Sequence, residues 1–162
     1  MTEKEMFLRT WEREFQTTLK VLKAFPSNQL DLKPHERSRT ARDLAWNFAA
    51  EEKLFVEGCI SGSFDFANYP KAPATMQDII SAYEKTHQEM VDKVKKLSDE
   101  DFNKLIKFLV APKQMGDVRR GDLLWGSVMD KVHHRGQFSI YVRMAGGKVP
   151  SIYGPSADEP WM

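Results

Sequence analysis

Residues 75–97 read TMQDIISAYEKTHQEMVDKVKKL, and in this run Met76, Ile80, Tyr83, His87, Met90, Val94 and Leu97 recur at alternating spacings of four and three. That period lines one face of an α-helix, and a strand would need alternation by two. Thr75, with Asp78 three residues on, supplies an N-terminal cap. A helix with one apolar seam must bury it against other helices, so the neighbouring sequence decides the architecture.

Working outward, three more segments carry the same signal. The first spans Glu3 to Lys23, with Phe7, Trp11, Phe15, Leu19 and Leu22 on one face and Pro26 closing it. The second opens at Thr40, where Asp43 takes the third helical position of a capping box, and runs to about Cys59 before Ser61-Gly62-Ser63. A Pro- and Gly-containing loop, 61–74, leads into the seam helix. The last long helix begins near Asp122 and ends at Gly146 and Gly147, a pair suited to a left-handed C-terminal cap.

Between Ser98 and Gly121 the reading is a polar turn, a β-leaning run at Leu105 to Val110, and breakers at Pro112 and Gly116: an irregular insertion or a short hairpin. The tail from Lys148 to Met162 carries prolines at 150, 155 and 160, so it is extended and lies over the bundle, with Trp161 as its anchor. The expectation is an all-α four-helix bundle forming one domain over residues 1–162.

Composition is consistent with this. A chain of 162 residues buries about two thirds of its unfolded surface, and 41% apolar with 29% charged residues is a globular balance. Twenty-four basic against twenty-three acidic residues leave a net charge of +1, and the lone basic pair Arg119–Arg120 builds no field for nucleic acid or an anionic membrane. The charged N-terminus has no apolar signal core, and no run approaches the about 18 apolar residues of a membrane span. Cys59 is the single cysteine, which removes disulfides and CxxC zinc sites and points to the cytoplasm. It reads as an inert, mostly buried thiol. No phosphate loop, GxGxxG, HExxH or GxSxG motif is present.

Polar side chains on a buried stripe are the informative ones, because they must find partners there. On the second helix Asn47 and Glu51 fall within or beside the face of Leu44, Phe48 and Phe55, although Glu51, next to Glu52 and Lys53, equally reads as a solvated rim. His87 sits on the third helix's seam, either as a satisfied core histidine or as a ligand. On the last helix the stripe Leu123, Ser127, Asp130, His134, Phe138, Tyr141, Ala145 places Asp130 and His134 one turn apart on the inward face. Such a pair can close on one ion with help from facing helices, or it can be a plain ion pair.

Residues 132–143, VHHRGQFSIYVR, and 146–156, GGKVPSIYGPS, resemble the C-terminal signature of the DinB-like (YfiT-like) family of metalloenzymes. Residues 42–52, RDLAWNFAAEE, resemble its second-helix motif, and 98–102, SDEDF, the stretch before its last helix. The resemblance implies an up-down-down-up bundle, commonly a homodimer, with nickel or zinc held by three histidines in thiol-dependent transferases or isomerases acting on small molecules. Those three positions fall on Asn47, Asp130 and His134. Asp serves zinc, nickel or manganese, whereas neutral Asn is a weak ligand, so the inherited site is altered and its metal can be absent. Glu51 or His87 would compensate, His133 points elsewhere, and Gly136 lets a neighbouring helix approach closely. Two readings follow: a metal-dependent transferase, isomerase or hydrolase, or a metal-free small-ligand binder or dimeric interaction module.

Overall fold

The computed structural model describes residues 1–162. Four long helices, α1 (Glu3–Lys23), α2 (Ala41–Ser61), α3 (Met76–Lys95) and α5 (Arg120–Met144), are joined by a short α4 (Asp99–Asn103) and a hairpin, β1 (Leu105–Ala111) and β2 (Gln114–Arg119). The helices begin where the sequence offers caps. The Thr40 and Thr75 hydroxyls accept from the amides of Asp43 and Asp78, satisfying donors that a first turn leaves free. α4 was expected as a polar turn. Its helical form follows from a reciprocal box in which Ser98 and Asp101 cap each other's backbone.

Two apolar clusters show how the helices run. One joins the C-terminal half of α1 (Phe15, Leu19, Leu22) to the first halves of α2 and α3 (Phe48, Ile80, Tyr83) and the end of α5 (Phe138, Val142). The other joins Phe7 and Trp11 of α1 to Val56 and Cys59 of α2, Met90 and Val94 of α3, and Leu124 and Val128 of α5. α1 and α5 therefore run one way and α2 and α3 the other. α2 packs against α3 and α5, and α1 against the same two. This antiparallel pairing of α2 with α5 sets residues 47–51 beside residues 130–134. No helix is long and apolar enough to cross a membrane.

The last helix is rotated from its expected setting. Leu124, Val128, Lys131, Arg135, Phe138 and Val142 form its buried seam, while the Asp130 side chain is 48% exposed and His134 is half-buried. Asp130 thus stands at the edge of the bundle rather than inside it. The cause is charge pairing: Lys131 lies 3.6 Å from the buried Glu52 carboxylate, and Arg135 lies 2.7 Å from the buried Glu14 carboxylate. Two cations that would ordinarily face water are drawn inward by carboxylates on α2 and α1.

The ends follow glycine chemistry. Gly146 takes φ +79°, and a Cβ on Gly147 would meet the Ala24 carbonyl at 2.7 Å, so the α5 terminus closes against the end of α1 only because both lack side chains. Gly136 does not act this way, since a Cβ there would meet nothing within 4 Å and no neighbour approaches it. The tail is not anchored by Trp161, which is 65% exposed. Asp158 instead accepts from Arg143 and from the Val149 amide, Glu159 accepts from Lys20, and the Tyr153 hydroxyl donates to Glu14 at 2.6 Å.

Candidate metal centre

Glu51 of α2 and Asp130 and His134 of α5 bring one ligand atom each to within 4.8 Å of one another. The one-turn spacing on α5 aligns Asp130 and His134, whose Oδ2 and Nε2 stand 3.3 Å apart, and helix pairing supplies Glu51 from across the groove. The other His134 nitrogen, Nδ1, is 3.0 Å from Gln137 Oε1. With Nδ1–H donated to that amide, the Nε2 lone pair is turned toward the two carboxylates. An outer hydrogen bond of this kind is how protein metal sites fix a ligating imidazole.

Glu51 is half-buried, and its carboxyl is held above the usual range, first by burial and then by the Asp130 charge. The Asn47 amide and the His134 and Lys131 charges pull the other way. Asn47 itself is 97% buried in the sense that only 3% of its surface is exposed. Its Oδ1 accepts from the Tyr69 hydroxyl at 2.8 Å, while its Nδ2 makes no hydrogen bond of normal length and has the Glu51 carboxylate as the acceptor it faces. All four positions named by the sequence on these two helices thus gather at one place: Asn47, Glu51, Asp130 and His134.

A sequence profile described as the DinB family matches residues 1–161. The chain belongs to the DinB family. It is 29% identical over 160 residues to the uncharacterized protein YrdA of Bacillus subtilis (strain 168), with 94% of this chain and 89% of that one covered. Among solved structures it is similar to a DinB-like protein from Bacillus cereus ATCC 10987, with TM-score 0.78, 23% identity, and 92% and 97% of the two chains covered. It is also similar to the DinB-like protein YjoA of Bacillus subtilis, with TM-score 0.71, 20% identity, and 87% and 92% covered. These two likenesses bear on the fold.

In this DinB chain the donor chemistry suits a divalent cation. Two carboxylates and an imidazole are hard and borderline ligands of the kind that zinc, nickel and manganese accept. Glu51, Asp130 and His134 would hold such an ion, their donor atoms all lying within 4.8 Å of one another.

His87 is not part of this DinB cluster. Its Nδ1 is 2.8 Å from Glu52 and its Nε2 is 3.2 Å from Glu12, so neither nitrogen is left for an ion. The ring stacks on Phe15 at 3.7 Å, and the Trp11 indole donates to the same Glu52 at 3.0 Å. Glu52, wholly buried, was missed as a core residue. Its signal was present in the run Ala45, Phe48, Glu52, Val56, Cys59, which keeps helical spacing on the face that packs inward. Cys59 is wholly buried, and burial pushes its thiol up to about 12, which leaves it without nucleophilic character.

Beside the centre a cleft of about 590 Å³ opens between α2 and the loop that follows it. Trp46, Phe55, Phe66 and Tyr69 wall it, and Asn47 and Glu51 line its inner side. The Trp46 indole donates to the Pro70 carbonyl at 2.7 Å and Tyr69 bonds Asn47, so the loop is tied to the helix at two points.

Proposed function

We propose that this chain is a metal-dependent enzyme of transferase, isomerase or hydrolase type acting on a small molecule or thiol, with Glu51, Asp130 and His134 holding a divalent cation (nickel, zinc or manganese) and Asn47 beside them. The observation that carries this reading is the convergence of three ligand atoms within 4.8 Å from two different helices, one of them a carboxylate burdened by its neighbour's charge. A cation held by Glu51, Asp130 and His134 would supply Lewis acidity, lowering the pKa of a water or thiol brought to it. The chain's own contribution is orientation: Gln137 sets the imidazole, and Tyr69 sets Asn47. A homodimer is part of the same proposal, supported by the outward face of α5, where Met129 and Ile140 are exposed.

The test is to purify the protein without a histidine tag, quantify bound metal, and titrate nickel, zinc and manganese into the wild type and the Glu51→Gln variant. The expected result is stoichiometric binding that Glu51→Gln weakens by about tenfold or more. Less than about a tenth of an equivalent, with no saturable binding on titration, would sink the metal reading. A second reading, a metal-free ligand binder, is favoured by the direct 3.3 Å approach of His134 to Asp130, which is complete as an ion pair. On that reading only the Asn47→His, Asp130→His double variant binds metal.

A further inference from the structure

The cleft beside the centre has features that the cation does not explain. Its aromatic walls are held on the surface rather than packed into the core: Phe66 and Tyr69 remain substantially exposed, and Phe55 meets Phe66 edge to face at a centroid distance of 6.3 Å. At its floor lies the orphaned Nδ2 of Asn47. A buried N–H without a hydrogen bond of normal length is costly, and the acceptor it faces, the Glu51 carboxylate, is one that the candidate centre also claims. At its mouth stand Arg39 and Lys71, and neither has a carboxylate within 4.0 Å. Of the two acids in the lining, Asp43 accepts the Thr40 hydroxyl at 2.6 Å as part of the α2 cap, and Glu51 belongs to the candidate centre.

Each feature selects a different part of a ligand. Flat apolar walls recognise a planar hydrophobic body. An unpaired buried donor recognises an acceptor oxygen, and unpaired guanidinium and ammonium groups recognise an anion. We propose that this cleft binds an aromatic carboxylate, its ring between Trp46, Phe55 and Phe66, a carboxylate oxygen or neighbouring carbonyl oxygen accepting from Asn47 Nδ2, and its negative charge met by Arg39 and Lys71. This names the substrate class for the proposed centre and rests on that reading only for the reaction, since every group that recognises the ligand lies outside the cation's ligand set.

The experiment uses naphthalene-2-carboxylate and its uncharged amide, naphthalene-2-carboxamide, as probes, titrated in EDTA with indole fluorescence and calorimetry as readouts. The acid binds more tightly than the amide by about tenfold. The Arg39→Gln, Lys71→Gln double variant, two exposed positions whose loss leaves the core untouched, weakens the acid by a similar factor and leaves the amide unchanged. Asn47→Leu weakens both probes, and its melting temperature, read alongside, separates loss of the donor from loss of the fold. Phe66→Ala also weakens both. Equal affinity for acid and amide, or acid binding undiminished in the double variant, overturns the inference. Because EDTA removes any cation, failure here leaves the metal titration to stand on its own result. Success here with no metal binding would retain the ligand class and discard the metal reading.

Discussion

At the scale of single residues, the decisive contrasts are between side chains of one type. Glu51 and Glu52 are adjacent, yet Glu52 is sealed among Trp11, His87 and Lys131 while Glu51 turns toward Asp130 and His134. A helix advances about 100° per residue, so neighbours serve different faces. The Cys59 thiol belongs to the inert class, and its reaction with a disulfide reagent in the native protein should wait for unfolding. The prediction is that labelling by such a reagent at pH 8 tracks global opening and accelerates by orders of magnitude in denaturant. Prompt stoichiometric labelling of the folded protein would show that the thiol is neither buried nor protonated. The sequence singled out Asp130 and His134 and read Cys59 as an inert, mostly buried thiol, which its full burial bears out, but it could not show that Lys131 and Arg135 are the buried pair on α5. Their partners, Glu52 and Glu14, lie 79 and 121 positions away, and pairing over such separations is written in the fold rather than in local spacing.

At the scale of elements, helix ends explain most of what was legible and the insertions most of what was not. Thr40 and Thr75 announce their helices because a hydroxyl at the cap satisfies free amides at once. The end of α2 has no basic residue in its last turn. Arg120 supplies one from α5, its guanidinium donating to the Cys59 carbonyl at 2.7 Å and the Asp101 carbonyl at 2.6 Å. No sequence pattern links those positions, and α4 with its hairpin exists partly to bring them together. The α5 terminus makes a sharper prediction. Gly147→Ala sets a methyl 2.7 Å from the Ala24 carbonyl, which is backbone and cannot rotate away. The cost should be about 1–3 kcal/mol, read as a lower urea midpoint, with Gly136→Ala as the control because open space surrounds that position. Gly136 lies inside α5, so its alanine should be neutral or stabilising by up to about 1 kcal/mol, and a Gly147→Ala midpoint no lower than wild type would mean that the close approach carries no cost.

At the scale of the whole molecule, the bundle was legible because four seams of helical period leave little choice of architecture, whereas the course of the tail was not, since extended segments carry no period. What holds the tail is an ionic junction: Arg135 donates to the Glu14 carboxylate at 2.7 Å and to Thr18 at 3.2 Å, and the Tyr153 hydroxyl donates to the same Glu14 at 2.6 Å. Three parts of the chain, α1, α5 and the tail, therefore share one carboxylate. Burial by itself would raise the Glu14 pKa, but the hydrogen bonds from Tyr153 and Arg135 and the arginine's charge outweigh it and leave the carboxyl below its usual value. A depressed folded-state pKa means that the unfolded chain takes up the proton first. The stabilisation is then complete above the ordinary glutamate range, about pH 4.5, and is lost as the pH falls through the folded value. Glu14→Gln removes the charge and leaves Arg135 buried without a counter-ion, so it should cost about 3 kcal/mol near pH 7. The difference from wild type should shrink steadily below about pH 4.5, as protonation brings the natural protein to the same uncharged state. Urea midpoints measured across that range decide the matter. A constant difference at every pH would assign the stability of this junction to packing of the Arg135 and Tyr153 side chains, leaving the Glu14 charge without a part in holding α1, α5 and the tail together.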